Sequence, residues 1–205
     1  MKPIIVGISG ATGIAYGIRA LALLRELDIE THLVLSTGAK MTIHEVGMTI
    51  PEVEALATHV HHQENLGASI SSGSFRTAGM MVMPCSMRCL AAVALAAPYN
   101  LLTRAADVTL KERRRLVLLT REAPLNQGHI QNMLTATQMG AVIYPPVPAL
   151  YSRPQSIEEM IDYTVMRVFD LFEIEAPLQL PRWSGMGDLT KPLTNAARQQ
   201  MQEIA

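Results

Sequence analysis

An arginine and a glutamate stand side by side at Arg121 and Glu122, directly after the apolar run Leu116-Val-Leu-Leu119. A run of that length reads as a buried strand. An α/β sheet places functional groups just beyond the carboxyl ends of its strands. A cation beside a carboxylate at such a tip suits an anionic ligand that also needs a proton moved. The competing reading is a surface ion pair of little energetic weight.

Further clusters also follow apolar runs. Gly7-Ile-Ser-Gly-Ala-Thr-Gly13 leaves a first strand and enters a helix. Its glycines allow a tight turn, and a helix N-terminus offers free N–H groups to a phosphate. The spacing is G-x-x-G-x-x-G and the Walker lysine is missing, so a mononucleotide such as FMN is favoured over NAD or ATP. A simple strand-to-helix turn is the plainer alternative. Ser36 ends a second strand, where a hydroxyl caps the next helix or bonds a ligand phosphate. In Pro84-Cys-Ser-Met-Arg-Cys89, Ser86 is a good N-cap. Cys85 and Cys89 lack further Cys or His partners for zinc and read as small buried residues. Tyr151 and Arg167 offer a phenol and a guanidinium able to clamp a phosphate or diphosphate. Otherwise Arg167 is a surface helix residue with its stem packed on the core. His59-Val-His-His62 raises the question of a metal, but its polar surroundings favour a solvated turn. Ser71-Ser-Gly-Ser-Phe75 reads as a flexible loop that could close over a ligand.

The elements that must carry these residues alternate. Strands are expected at 4–9, 31–36, 79–84, 116–119 and 141–144. Helices are expected at 16–27, 39–46, 51–58, 86–97, within 101–113, at 128–139 and at 156–172. This pattern predicts an α/β protein with a doubly wound parallel sheet. The expected organisation is a single domain over 1–205, with a core at about 3–175. A proline-bearing tail at 176–205 is expected to make oligomer contacts.

Composition narrows the function classes. Of 205 residues, 49% are hydrophobic and 17% charged, which argues against disorder. That balance, 13 methionines and a mean hydropathy of +0.19 favour an oligomer. A net charge of −1 gives no basic field for nucleic acid. No apolar run is long enough to span a membrane, and the N-terminus does not read as a signal peptide. Two cysteines give no disulfide framework. A soluble cytoplasmic protein is the expectation.

Taken together, GISGATG (7–13), SISSGSF (69–75), PCS (84–86), LLTRAADVTLKERRRLVLLTREAP (101–124), HIQNM (129–133), PPVPALYSRP (145–154) and PRW (181–183) resemble the UbiX-type flavin prenyltransferases over roughly residues 3–185. The resemblance implies a flavodoxin-like, Rossmann-like fold and a homo-dodecamer. It implies transfer of a dimethylallyl group from dimethylallyl phosphate to N5 and C6 of reduced FMN, without a metal. The prenylated FMN would serve a UbiD-type decarboxylase. It implies that Gly10, Ala11, Thr12, Ser36, Ser86, Met87, Arg88, Cys89 and Arg121 contact FMN. Tyr151 and Arg167 would hold the prenyl phosphate, with Lys111 and Glu122 close by. Glu45, Glu122 and Lys111 would be the catalytic residues. Glu45 lies in Ile43-His44-Glu45-Val46-Gly47, one residue shorter than the family's Leu-Glu-Thr element, so that either Glu45 fills that glutamate's role or the carboxylate is displaced. Cys89 stands where the family often has threonine, and Leu150 replaces a common aromatic. The alternative function is a non-catalytic FMN-binding or delivery subunit of a decarboxylase system. The related flavin-dependent cysteine decarboxylases would share the sheet but not RAADVTLKERR or TREAP.

Overall fold

A computed structural model describes residues 1–175 together with Leu178 and Arg182. The expected C-terminal tail, Pro181 and Trp183 lie outside the described residues.

Six parallel strands form one sheet in the order β3-β2-β1-β4-β5-β6. They are β1 (Ile4–Ile8), β2 (Thr31–Leu35), β3 (His59–His61), β4 (Gly79–Cys85), β5 (Arg115–Thr120) and β6 (Val142–Ile143). The order reverses between β1 and β4, where crossovers leave toward opposite faces and a crevice opens at the strand tips.

The strand sequences show why both faces are covered. Ile4, Val6, Ile8, Leu33, Leu35, Met81, Met83, Val117 and Leu119 point into one apolar cluster. Their neighbours Ile5, Val34, Met80, Val82, Leu116 and Leu118 point into the other. A period of two with apolar side chains on both faces produces the continuous hydrophobic runs of a parallel sheet. The first face carries α1 (Ile14–Glu26) and α7 (Ile157–Asp170), with α2 (Thr37–Thr42) and α3 (Ile50–Glu54) at its margin. The second carries α4 (Met87–Ala94), α5 (Leu101–Lys111) and α6 (Gln127–Gln138). Arg19 forks onto Asp162 at 2.5 and 3.1 Å and ties α1 to α7.

Three expectations need correction. His59-Val-His61 is not a solvated turn. It is an edge strand, held in register by His32↔His59, Leu33↔Val60 and Val34↔His61. The Ser71–Phe75 loop is not free to close over a ligand. Arg114 donates to the carbonyls of Gly73 and Phe75 at 2.6 and 2.8 Å, and Arg104 Nε donates to Ser71 O at 3.3 Å. Those bonds brace the loop against α5 and the start of β5. The expected helix at 39–46 divides into α2 and a 3₁₀ turn over Ile43–Val46.

The edge strand has a consequence for pH. Burial lowers the pKa of His32, with the Glu30 carboxylate partly offsetting it and His59 adding to it. Burial, then His32 and His59, lowers that of His61. An unfolded histidine titrates near pH 6.5. Below that pH the unfolded chain binds more protons than the folded one, so stability falls as pH drops through the folded values. Thermal melts are expected to show Tm declining from about pH 6.5 downward. His61→Gln should flatten that decline. The lowered carboxylate of Asp170 acts at more acidic pH, outside this window.

Candidate active site

The tips of β1, β5 and β6 surround a cavity of about 500 Å³. Thr12, Gly13, Ala15 and Tyr16 bring in the β1–α1 turn, Thr120 to Ala123 the end of β5, and Pro145 to Val147 the segment after β6. Ile157 and Ile161 of α7 complete an apolar wall. Burial pushes the Tyr16 phenol pKa up, with Thr164 partly offsetting it, so Tyr16 stays protonated.

Arg121 and Glu122 both reach this cavity, as their place after β5 predicts, and both are exposed. They do not form the surface ion pair. Glu122 Oε1 accepts from its neighbour's amide, Ala123 N, at 3.1 Å. Among the described residues Arg121 has no carboxylate partner within salt-bridge distance, so its guanidinium is open to an anion. Sequence reasoning missed Thr120. It is 3% exposed, lines the cavity, and its Oγ1 has no hydrogen-bond partner among the described residues. A buried hydroxyl without a partner is costly. A ligand in the cavity offers it one.

The β1 turn is built by close backbone contact. A Cβ on Gly10 would stand 2.7 Å from Gly38 Cα, so the turn and the start of α2 touch through bare backbone. Ser9 Oγ donates to Pro84 O at 2.9 Å and accepts from Ser86 N at 2.7 Å, locking the β1 and β4 tips together. Ser36 Oγ accepts from Ala39 N at 3.1 Å, and Ser86 Oγ from Cys89 N at 3.3 Å. Both serines are therefore helix caps. Each hydroxyl keeps its own proton for an acceptor such as a phosphate oxygen.

The remaining family-derived residues fall partly at these tips and partly beyond them. Gly10, Ala11 and Thr12 form the β1 turn and Met87 is half-buried on the first turn of α4. Arg88 is exposed and lies 4.5 Å over the Tyr99 ring. Cys89 is buried in the second apolar cluster, as is Cys85, and among the described residues neither thiol sits in a metal-binding group. Glu45 is exposed on the 3₁₀ turn and has no ion pair among the described residues.

Tyr151 hydrogen-bonds Tyr163 through the two hydroxyls, and the rings meet edge to face at 6.1 Å. Arg167 donates to Asp170 at 2.5 Å, and Arg182 binds the same carboxylate at 2.8 and 3.0 Å. Arg182, then Arg167, holds the Asp170 carboxyl below its usual range. With Asp170 already neutralised by Arg182, the other donors of Arg167 are available. Tyr151 and Arg167 both act on Tyr163, so they share one cluster on and beside α7, the helix whose Ile157 and Ile161 line the Arg121–Glu122 cavity.

Lys111 lies elsewhere. It ends α5, four residues before β5 begins, and pairs with Glu112 at 2.5 Å beside Gly73. That is the opposite end of the sheet from the cavity. Six residues of strand span about 20 Å. Within one chain the lysine does not join Arg121 and Glu122.

A flavoprotein family model matches residues 1–169. The flavin prenyltransferase UbiX of Escherichia coli K12 is 53% identical over 188 residues, covering 90% of this chain and 100% of that one. A crystal structure of AnUbiX (PadA1) in complex with FMN and dimethylallyl pyrophosphate superposes with a TM-score of 0.87 at 49% identity, over 90% of this chain and 98% of that one. A dodecameric FMN-dependent UbiX-like decarboxylase from Escherichia coli O157:H7 gives 0.86 at 45% identity, over 89% and 100%. The expected doubly wound, flavodoxin-like architecture stands. This chain belongs to the flavoprotein family and, within it, to the UbiX flavin prenyltransferases.

Proposed function

We propose that this chain joins a dimethylallyl group to N5 and C6 of reduced FMN, taking it from a dimethylallyl phosphate ester. The observation that carries this reading is the cavity of about 500 Å³ at the strand tips. It combines a guanidinium and a buried hydroxyl that have no partner among the described residues, a carboxylate and an apolar wall. A metal plays no part in the proposed reaction.

The residues present fit FMN. The bare-backbone contact of Gly10 with Gly38 leaves the Gly10-Ala11-Thr12 turn open to a phosphate, and Ser36 and Ser86 have hydroxyl protons to give it. The proposed FMN contacts extend to Met87, Arg88, Cys89 and Arg121. Cys89 is buried as a whole residue and its N–H already bonds Ser86 Oγ, so its part is to hold the Ser86 cap against the flavin. Reduced FMN supplies the nucleophilic atoms. Tyr151 and Arg167 hold the prenyl phosphate, whose growing negative charge the guanidinium stabilises as the carbon–oxygen bond breaks. Ile161 and Pro146, both half-buried, offer the allylic carbon an apolar wall against water. Glu122 accepts the proton released from C6. Glu45 remains a candidate catalytic carboxylate. Lys111 acts on the prenyl phosphate only from a second copy, given its place at the other end of the sheet. A homo-dodecamer, as in the E. coli O157:H7 neighbour, is the proposed assembly, and a UbiD-type decarboxylase the proposed recipient. A soluble, cytoplasmic location is proposed. Among the described residues no helix is long and apolar enough to cross a membrane.

The test is an anaerobic incubation of the full chain with dithionite-reduced FMN and dimethylallyl phosphate, read by mass spectrometry of the extracted flavin. A gain of one prenyl unit is expected. Flavin that copurifies but keeps its mass would overturn the transferase and favour a delivery subunit.

A further inference from the structure

A second cluster of chemically able side chains lies away from the strand tips. Period-two alternation puts Glu30 and His32 on one face of β2 and its approach, and His59 and His61 on the same face of β3. The parallel register sets His32 directly beside His59. Glu30 Oε1 lies 3.2 Å from His32 Nε2 and 3.2 Å from His59 Nε2. The three ligand atoms all fall within 4.8 Å of one another. Ligands about 2.0–2.1 Å from a tetrahedral zinc are about 3.3 Å apart, so two of the three edges already have the right length.

The surroundings supply what a metal site needs beyond its ligands. His32 Nδ1 lies 2.8 Å from His61 Nε2. A metal at His32 Nε2 would replace the proton shared with Glu30 Oε1, leaving Nδ1–H to donate to His61. A histidine ligand whose other ring nitrogen donates to a neighbour is the usual outer-sphere support of a metal. Phe75 packs its ring edge to face on His32, with centroids 5.0 Å apart, and fixes the imidazole plane. The His32 side chain is 5% exposed, while those of His59 and Glu30 are 51% and 45% exposed. One ligand is anchored and two meet solvent, so an ion can enter and keep water in its remaining positions.

We propose that Glu30, His32 and His59 form a binding site for a divalent transition-metal ion, with His61 as its outer-sphere partner. Two imidazoles and one carboxylate select zinc, nickel, cobalt or copper over magnesium or calcium. The site staples the edge strand β3 to β2. It stands near the start of β2, where His32 pairs with Ile5, and so at the end of the sheet away from the cavity. It is independent of the flavin reading and would survive that reading's failure.

The experiment is calorimetric titration of the chelator-treated full chain with Zn²⁺ at pH 7.5, paired with thermal melts and with Co²⁺ absorption. One ion per chain is expected, with a rise in Tm that Mg²⁺ does not produce. His59→Val, at an exposed edge position that suits a β-branched residue, should fold normally and weaken zinc binding by at least about 10-fold. Glu30→Gln, also exposed, should weaken it comparably and serves if His59→Val proves unstable. Absence of saturable binding would overturn the proposal. So would parent-like affinity in both variants, which would place the ion elsewhere.

Discussion

Glu122→Gln is expected to slow prenyl transfer by about 10²–10⁴-fold, the usual worth of a positioned general base, while flavin retention stays close to that of the parent. Glutamine keeps the shape of the side chain and its acceptor oxygen for Ala123 N, so the turn after β5 should persist. What is lost is the ability to take up a proton beside the ring being closed. Single-turnover assays under anaerobic conditions separate the two effects, because binding is read from flavin absorbance before the prenyl donor is added. Unchanged turnover in Glu122→Gln would remove this carboxylate from the reaction and shift attention to Glu45. Loss of flavin with loss of turnover would instead make Glu122 a binding group.

Legibility differed among elements for physical reasons. The strands β1, β2, β4 and β5 have apolar side chains on both faces, so their runs stand out without any partner being known. The edge strand β3 has one neighbour and three residues, two of them histidines, so nothing in its composition separates it from a polar turn. Only the register with β2 makes it a strand. The loop after it looked mobile because Ser and Gly dominate it. The bonds that brace it come from Arg104 and Arg114, about 30 to 40 positions away, and such pairing is invisible to local pattern.

The candidate site was legible wherever chain order alone determines position. Every residue placed just after a strand, from Gly10 to Glu122, arrived at the same end of the sheet because all six strands run parallel. Lys111 shares a motif with Arg121 and Glu122, yet β5 intervenes and carries them apart. Nearness in sequence across a whole strand means distance in space. Thr120 escaped notice because a threonine ending an apolar run looks like any strand terminus. Only its burial and its unpartnered hydroxyl mark it.

Gly17→Ala is expected to destabilise the fold by about 3 kcal/mol, the upper end of overpacking costs. Helix propensity argues the other way, since alanine gains about 1 kcal/mol over glycine in a helix interior. Packing decides the sign. Gly17 is buried in α1 where the helix crosses β4, and a Cβ there would press into the Met83 carbonyl oxygen and stand 2.8 Å from Ile8 Cδ1. A main-chain carbonyl in a central strand cannot rotate aside as a side chain can, so α1 must lift off the sheet. For a chain of this size the loss corresponds to a fall of about 6–12 °C in Tm. The displacement also reaches the site. Met83 precedes Pro84, whose carbonyl holds Ser9, and Ser9 in turn holds the amide of Ser86. Flavin retention should therefore fall along with stability. Gly128→Ala, on the exposed first turn of α6, provides the contrast, because its Cβ meets only the Asn126 side chain at 3.3 Å. A Gly17→Ala protein melting at or above the parent temperature would show that α1 can shift outward at little cost, and that the close helix–strand contact is not what fixes the β1 and β4 tips.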